Sequence, residues 1–239
     1  MDERGGIAAV LAKSDASMTT QFFNDLKINL RGDLLTDVYS LGMYATDASV
    51  YQIQPIAIAL PKDEADVLTA IRIAARHRVA VLPRGSATSL SGQTIAEALV
   101  LDFTKYLHNV LEINPAERWA RVQPGVTLDQ LNDLLKPHRL HFAPDPATAN
   151  RATFGGMIAN NSSGTKSIVY GKTVDHVLEM KVALADGTVL NFNELSLEDW
   201  DAKANQPGRE GEIYRHFRSL VFENTEEILA RFPKTMRRV

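Results

Sequence analysis

Two stretches of small and hydroxyl-bearing residues are the parts of this chain most able to do chemistry. The first, Pro83-Arg84-Gly85-Ser86-Ala87-Thr88-Ser89-Leu90-Ser91-Gly92-Gln93, directly follows the apolar run Val79-Ala80-Val81-Leu82. Gly85, Ser86 and Ala87 carry so little bulk that successive backbone N–H groups can turn toward an anion, and Thr88 and Ser89 add hydroxyls. A phosphate or pyrophosphate fits such a concavity. An ordinary tight loop between strands has the same composition, and spacing alone leaves both readings open.

The second stretch is Pro144-Asp145-Pro146-Ala147-Thr148 followed by Ala152-Thr153-Phe154-Gly155-Gly156-Met157-Ile158-Ala159-Asn160-Asn161-Ser162-Ser163-Gly164-Thr165-Lys166. Its prolines make the approach rigid, its glycine pair permits close backbone contact, and Asn-Asn-Ser-Ser supplies neutral donors and acceptors. Neutral groups suit an extended nucleotide and a heteroaromatic ring better than acid–base catalysis. The competing reading is a polar turn cluster around a buried Phe154, Met157 and Ile158 anchor.

Other constellations fall short. There is no G-x-G-x-x-G, so a nicotinamide-type nucleotide site has no support, and Gly164-Thr165-Lys166-Ser167 lacks the Gly-Lys adjacency of a Walker loop. No G-x-S-x-G elbow supplies a serine nucleophile. His138 and His141 stand three apart without H-E-x-x-H or a third ligand, so no metal site is expected. The pairs Glu226-Glu227 and Arg237-Arg238 read as solvated surface.

The elements that must position these loops alternate. Ile56 to Leu60, closed by Pro61, reads as a buried strand. Asp63 then caps a helix with Val67, Leu68, Ile71, Ala74 and Ala75 on one face, and Val79 to Leu82 is the next strand. Such a β-α-β unit permits parallel pairing and brings its loops out at one sheet edge. Leu99 to Phe103, Val110 to Ile113 and Trp119 to Gln123 are strand-like. Thr127-Leu128-Asp129-Gln130 has capping-box spacing and opens a helix that runs to Pro137. Val177 to Leu184, Asp186-Gly187 and Thr188 to Phe192 form a hairpin signal. Asn193 to Gly211 is polar and is expected to be a mobile loop, with a final helical region on Ile213, Phe217, Leu220, Val221, Ile228 and Leu229. Residues 1–50 read as a helical preface with a mobile start, in which Phe22, Phe23, Leu26 and Leu30 recur at helical spacing. Strands interleaved with helices plus one hairpin give an α+β class.

Composition bounds the function. The 239 residues, 45% of them hydrophobic, can bury a core of their own. With 26 Lys+Arg against 29 Asp+Glu, no overall basic field exists to hold a nucleic acid. The absence of cysteine excludes disulfides, thiolate zinc and cysteine-ligated iron–sulfur clusters from this chain. No apolar run approaches the roughly 20 residues of a membrane span, and the short Ile7 to Ala12 stretch follows acidic residues rather than a basic leader. A cytoplasmic protein is expected.

In their order and separation the two loops resemble the FAD-binding domain of the vanillyl-alcohol oxidase/p-cresol methylhydroxylase flavoprotein superfamily. The resemblance spans about residues 45–192 and rests on Ala45-Thr46-Asp47-Ala48-Ser49, Leu60-Pro61, the Pro83 to Gln93 loop, Gln123-Pro124-Gly125-Val126, Pro144-Asp145, Gly155 to Asn161, Tyr170-Gly171 and Asp175-His176-Val177. Within the superfamily it is most similar to the D-lactate dehydrogenase, glycolate oxidase and D-2-hydroxyglutarate dehydrogenase branch, especially its long bacterial members with a C-terminal iron–sulfur region. The resemblance implies a two-subdomain PCMH-type α+β fold with FAD between the subdomains, residues 51–122 forming the first and 123–239 the second. It implies that Arg84, Gly85, Ser86, Ala87, Thr88 and Ser89 wrap the pyrophosphate. Asp145, Thr153, Gly155, Gly156, Asn160, Asn161, Ser162 and Gly164 would line the flavin and ribityl side. Thr88 stands where some relatives carry a flavin-linking histidine, so noncovalent FAD is expected.

The implied activity is oxidation of a 2-hydroxy acid to a 2-oxo acid by hydride transfer to FAD, with electrons leaving to an acceptor or iron–sulfur region outside this chain. A non-catalytic nucleotide-binding or assembly module of the same fold is the alternative, and other branches act on phenolic or sugar substrates. Family members continue into a substrate-binding cap and a G-S-E-G-T-L-G-like segment. Neither occurs here, so the chain is expected to stop short of the cap, to be inactive alone and to carry no assignable catalytic residue.

Overall fold

The computed structural model describes residues 20–233, so the first residues of the expected preface and the Arg237-Arg238 pair lie outside it. Helix α1, through residues 20–29, turns Phe22 and Leu26 fully inward, and Leu30 follows just beyond its end. That is the spacing expected of a one-sided helix.

Strands β1 (Asp33–Leu35), β2 (Ala57–Leu60), β3 (Val81–Arg84) and β4 (Leu99–Asp102) make one sheet in the order β1-β2-β4-β3, with helix α2 (Val38–Tyr44) between β1 and β2 in the chain. β1 runs antiparallel to β2, while β2 and β3 both run parallel to β4. The strands flanking the expected crossover therefore do not pair with each other, because β4 takes the position between them. β2 and β4 are buried at every residue, which is why both read as uninterrupted apolar runs. β3 begins two residues later than the apolar pattern suggests and carries Pro83 and Arg84. An edge strand tolerates the proline's missing N–H.

The crossover helix α3 (Glu64–Arg76) is capped by the Asp63 side chain, which accepts from the Asp66 N–H. Its buried face matches the expected one at Ile71 and Ala74, with Val67 and Leu68 half-buried, and departs from it elsewhere. Ala75 is exposed, and Asp66, Ala70, Ile71, Ile73 and Ala74 are buried. A carboxylate is tolerated there because Asp66 accepts from the N–H groups of Arg31 and Lys62 at 3.1 and 3.0 Å and faces the Arg31 Nε at 3.3 Å.

A second core lies under the antiparallel pair β5 (Val110–Asn114) and β6 (Trp119–Val122). Val126, Leu128, Leu131, Leu135, Phe154 and Met157 fill it, with Val110, Ile113, Ala120 and Val122 of the pair packed against it. Helix α4 (Leu128–Leu135) opens on the expected capping box: Thr127 and Gln130 satisfy each other's backbone N–H groups. Two short helices, α5 (Phe154–Ala159) and α6 (Ser167–Tyr170), follow.

These elements belong to one compact unit that runs through Val177 and includes Ala185–Gly187; Leu178–Leu184 and the residues from Thr188 onward form another. The latter contains the expected hairpin, β7 (Glu179–Ala183) with β8 (Val189–Asn193), and helices α7 (Leu197–Ala204), α8 (Gly208–Glu223) and α9 (Thr225–Arg231). The expectation of a mobile loop over Asn193 to Gly211 is overturned. Ser196 caps α7 by accepting from the Asp199 N–H, and Trp200 stacks on Phe217 and meets Tyr214 edge-on. A cap and one aromatic packed on α8 hold this polar run as a helix. No helix among the described residues is long and apolar enough to cross a membrane.

Candidate functional site

The first loop leaves the sheet at the end of β3. Ala87 adopts a left-handed φ of 56°, which a small side chain tolerates better than a bulky one, and its carbonyl accepts from the Ala48 N–H at 3.1 Å. At the loop's far side Gly92 has φ 74°, and a Cβ there would lie 3.0 Å from the Tyr51 ring. Between these points the backbone N–H groups of Ser86, Ala87, Thr88, Ser89 and Leu90 donate to no group among the described residues. Five consecutive donors that no described residue claims, beside the Ser86 and Thr88 hydroxyls, are chemically matched to a phosphate. The Ser89 hydroxyl oxygen is directed instead to the N–H groups of Ser91 and Gln93, both at 3.4 Å.

Arg84 is buried, and its guanidinium turns into the protein. One nitrogen donates to the carbonyls of Tyr44 and Thr94 at 3.0 and 2.9 Å, the other to the Thr46 carbonyl at 2.9 Å, with the Tyr44 ring centroid 4.9 Å from its carbon. Burial lowers its pKa from the usual arginine value, opposed by Tyr44, Asp102 and Asp47. The Tyr44 hydroxyl donates to Asp102 at 2.5 Å, and burial, then that bond, pushes its pKa well above the ordinary tyrosine range. Burial alone would raise Asp47, but bonds from Ser49 and Thr94 hold it below the usual carboxylate range.

The second stretch meets the first at Gly85. A Cβ there would lie 2.2 Å from the Thr153 Oγ1, so the two loops are in van der Waals contact through that glycine. Thr153 is buried and caps α5 by accepting from the Gly156 N–H. Gly155 donates to the Pro124 carbonyl, Asn160 to Gly156, Asn161 to Ile158 and Ser162 to Met157. Backbone donors are thus spent here. What remains accessible is the Gly156 surface, the Asn160 side chain and the Ser162 hydroxyl. Asn161, at φ 44°, uses its Oδ1 to accept from the Val174 N–H. Gly164 lies against the Asp145 carbonyl, where a Cβ would approach to 1.6 Å, and Asp145 pairs with Lys166 at 3.1 Å. The fourteen expected site residues therefore fall in two stretches that touch at Gly85 and Thr153: Arg84 ends β3, Gly155 and Gly156 lie in α5, the rest are in loops, and Arg84 and Thr153 are buried. The sequence offers Tyr44 and Thr94 no signal for their contacts here; Asp47 stands in the Ala45 to Ser49 motif and in an Asp47-x-Ser49 turn pattern, but neither points to Thr94.

A family described as "FAD binding domain" matches residues 55–193, and the chain belongs to that family. The fold is the PCMH-type FAD-binding fold, and the cofactor of the family is FAD; the donors on the first loop suit its pyrophosphate. Among curated relatives, D-2-hydroxyglutarate dehydrogenase of Pseudomonas putida is 41% identical over 210 residues, covering 87% of this chain and 21% of that protein. Glycolate oxidase subunit GlcD of Escherichia coli is 36% identical over 188 residues, covering 77% of this chain and 37% of that protein. This chain therefore spans only a fifth to about two fifths of these relatives. Among solved structures, alkyldihydroxyacetonephosphate synthase superposes with TM-score 0.66 at 22% identity, covering 73% of this chain and 35% of the other. p-Cresol methylhydroxylase gives 0.62 at 20%, with coverage of 73% and 35%.

Proposed function

We propose that this chain is the FAD-binding module of a flavin-dependent oxidoreductase that oxidises a 2-hydroxy acid to a 2-oxo acid. The observation that carries the reading is the run of five N–H donors from Ser86 to Leu90 that no described residue claims, joined through Gly85 to the Thr153 stretch. The first loop would hold the pyrophosphate through its backbone, and Gly156, Asn160 and Ser162 would face the flavin and ribityl side. Bound FAD supplies the hydride acceptor. What this chain contributes is placement, and shelter of the phosphates in a neutral donor set.

Relatives named for D-2-hydroxyglutarate and glycolate support the substrate class. Attachment is noncovalent, because Thr88 offers no imidazole to the flavin. Electrons pass to an acceptor or iron–sulfur region outside this chain, and the enzyme works in the cytoplasm or at a membrane periphery. Residues 51–122 and 123–239 would be the two subdomains around the cofactor.

Purified protein titrated with FAD should show a perturbed flavin spectrum and a raised Tm, and acid or denaturant should release all the flavin. Absence of any binding would sink the reading, and flavin retained after denaturation would sink noncovalent attachment. In the longer polypeptide, anaerobic D-2-hydroxyglutarate, D-lactate or glycolate should bleach the flavin. A flavin reduced by none of them but by a phenol or sugar would move the protein to another substrate class.

A further inference from the structure

Arg84 adjoins a candidate phosphate loop yet directs its guanidinium away from it. Its donors reach three main-chain carbonyls: Thr94, ten residues along at the loop's far end, and Tyr44 and Thr46 on the neighbouring segment. The bond to Thr94 closes the loop at its base. The bonds to Tyr44 and Thr46 bring up the segment whose Ala48 N–H holds the Ala87 carbonyl at the loop's middle. Asp47 closes the same junction from the other side, accepting from the Thr94 hydroxyl at 3.0 Å and from its N–H at 3.4 Å. Every one of these ties uses a carbonyl or a carboxylate, and none uses the N–H groups of Ser86 to Leu90. The network thus shapes the loop while leaving its donors unclaimed.

We propose that Arg84 is a positioning residue for FAD: a clasp that acts on the pyrophosphate only through the backbone it orders, and not a phosphate ligand. This rests on the reading that the loop receives FAD. A planar fork reaching three carbonyls in fixed directions is a task for guanidinium that an ammonium does not reproduce. A direct phosphate contact, in contrast, would tolerate lysine and would be weakened by salt.

The test compares wild type with Arg84→Met, Arg84→Lys and Asp47→Ala. FAD and ADP affinities are measured at low and high ionic strength, and amide hydrogen exchange over residues 44–53 and 85–94 is followed without ligand. Both Arg84 variants should lose about tenfold or more in affinity with a salt dependence like that of wild type, since binding must then select an ordered minority of loops. Exchange over both segments should accelerate. Asp47→Ala should show the same signature in milder form, and it decides the matter if the Arg84 variants do not fold. Wild-type affinity in Arg84→Lys, loss of salt dependence in Arg84→Met with exchange unchanged, or accelerated exchange in Asp47→Ala at wild-type affinity would each overturn the proposal. If wild type itself binds no FAD, the cofactor reading fails, and the exchange data still report whether Arg84 clasps the loop.

Discussion

Glycines at the site serve different purposes that composition cannot distinguish. Gly85 is small because Thr153 occupies the space a Cβ would need, and Gly164 because the Asp145 carbonyl does. Gly156 has only a 3.3 Å contact to Thr153 and an otherwise accessible surface. Gly164→Ala should therefore be the most damaging to stability, since backbone rather than side chain must yield. Gly85→Ala should cost about 1–3 kcal/mol through forced displacement of Thr153 and should weaken FAD binding with it. Gly156→Ala should stay within about 1 kcal/mol of wild type, helix propensity offsetting the tight contact. Gly156→Val should fold but bind FAD poorly if that surface meets the flavin. Denaturant titration beside FAD titration separates these outcomes; equal FAD affinity in Gly85→Ala and Gly156→Val would remove both loops from the cofactor site. That small residues were needed was legible in the chain. The reason at each position was not, because the obstructing atom lies across the fold.

At the scale of elements, local signals were read well wherever partner and helix are close in sequence. The Asp63 cap, the Thr127–Gln130 box and the hairpin all rest on contacts a few residues apart. Asp66 on the buried face of α3 was not legible in the chain, because it looks like a surface residue until Arg31 arrives from 35 positions away to join the nearby Lys62 N–H. Asp66→Ala should orphan two N–H groups and cost about 2–4 kcal/mol, and Asp66→Asn, which keeps one acceptor, should cost less. Urea midpoints at constant slope would show both. Midpoints unchanged in Asp66→Ala would mean that the junction of α1, β1 and α3 does not depend on this carboxylate.

Across the whole molecule, several carboxylates are held below their ordinary range. Bonds from Lys105 and Tyr106 lower Asp33, the Ser40 hydroxyl and N–H lower Asp37, and the Asp66 N–H and Arg31 lower Asp63. Each binds its proton less tightly folded than unfolded. Its contribution is therefore complete above the unfolded value near 3.8 and is lost as pH falls through the lower folded values. Tm should change little from about pH 7 to about pH 5 on account of these groups and drop below about pH 4. The Asp33→Asn, Asp37→Asn, Asp63→Asn triple variant should be less stable at neutral pH and show a shallower acid decline. A decline as steep as that of wild type would assign the acid sensitivity elsewhere.

The chain by itself determined the class of fold and the places of its two small-residue stretches, because β-strand runs, caps and small-residue turns are written in neighbouring residues. Only the tertiary structure decided that β4 separates β2 from β3, that the polar stretch around Trp200 is helical, and that the Arg84 guanidinium donates to three carbonyls. Each of those outcomes depends on a partner many positions away. Its identity becomes visible only when burial forces every polar group to find one.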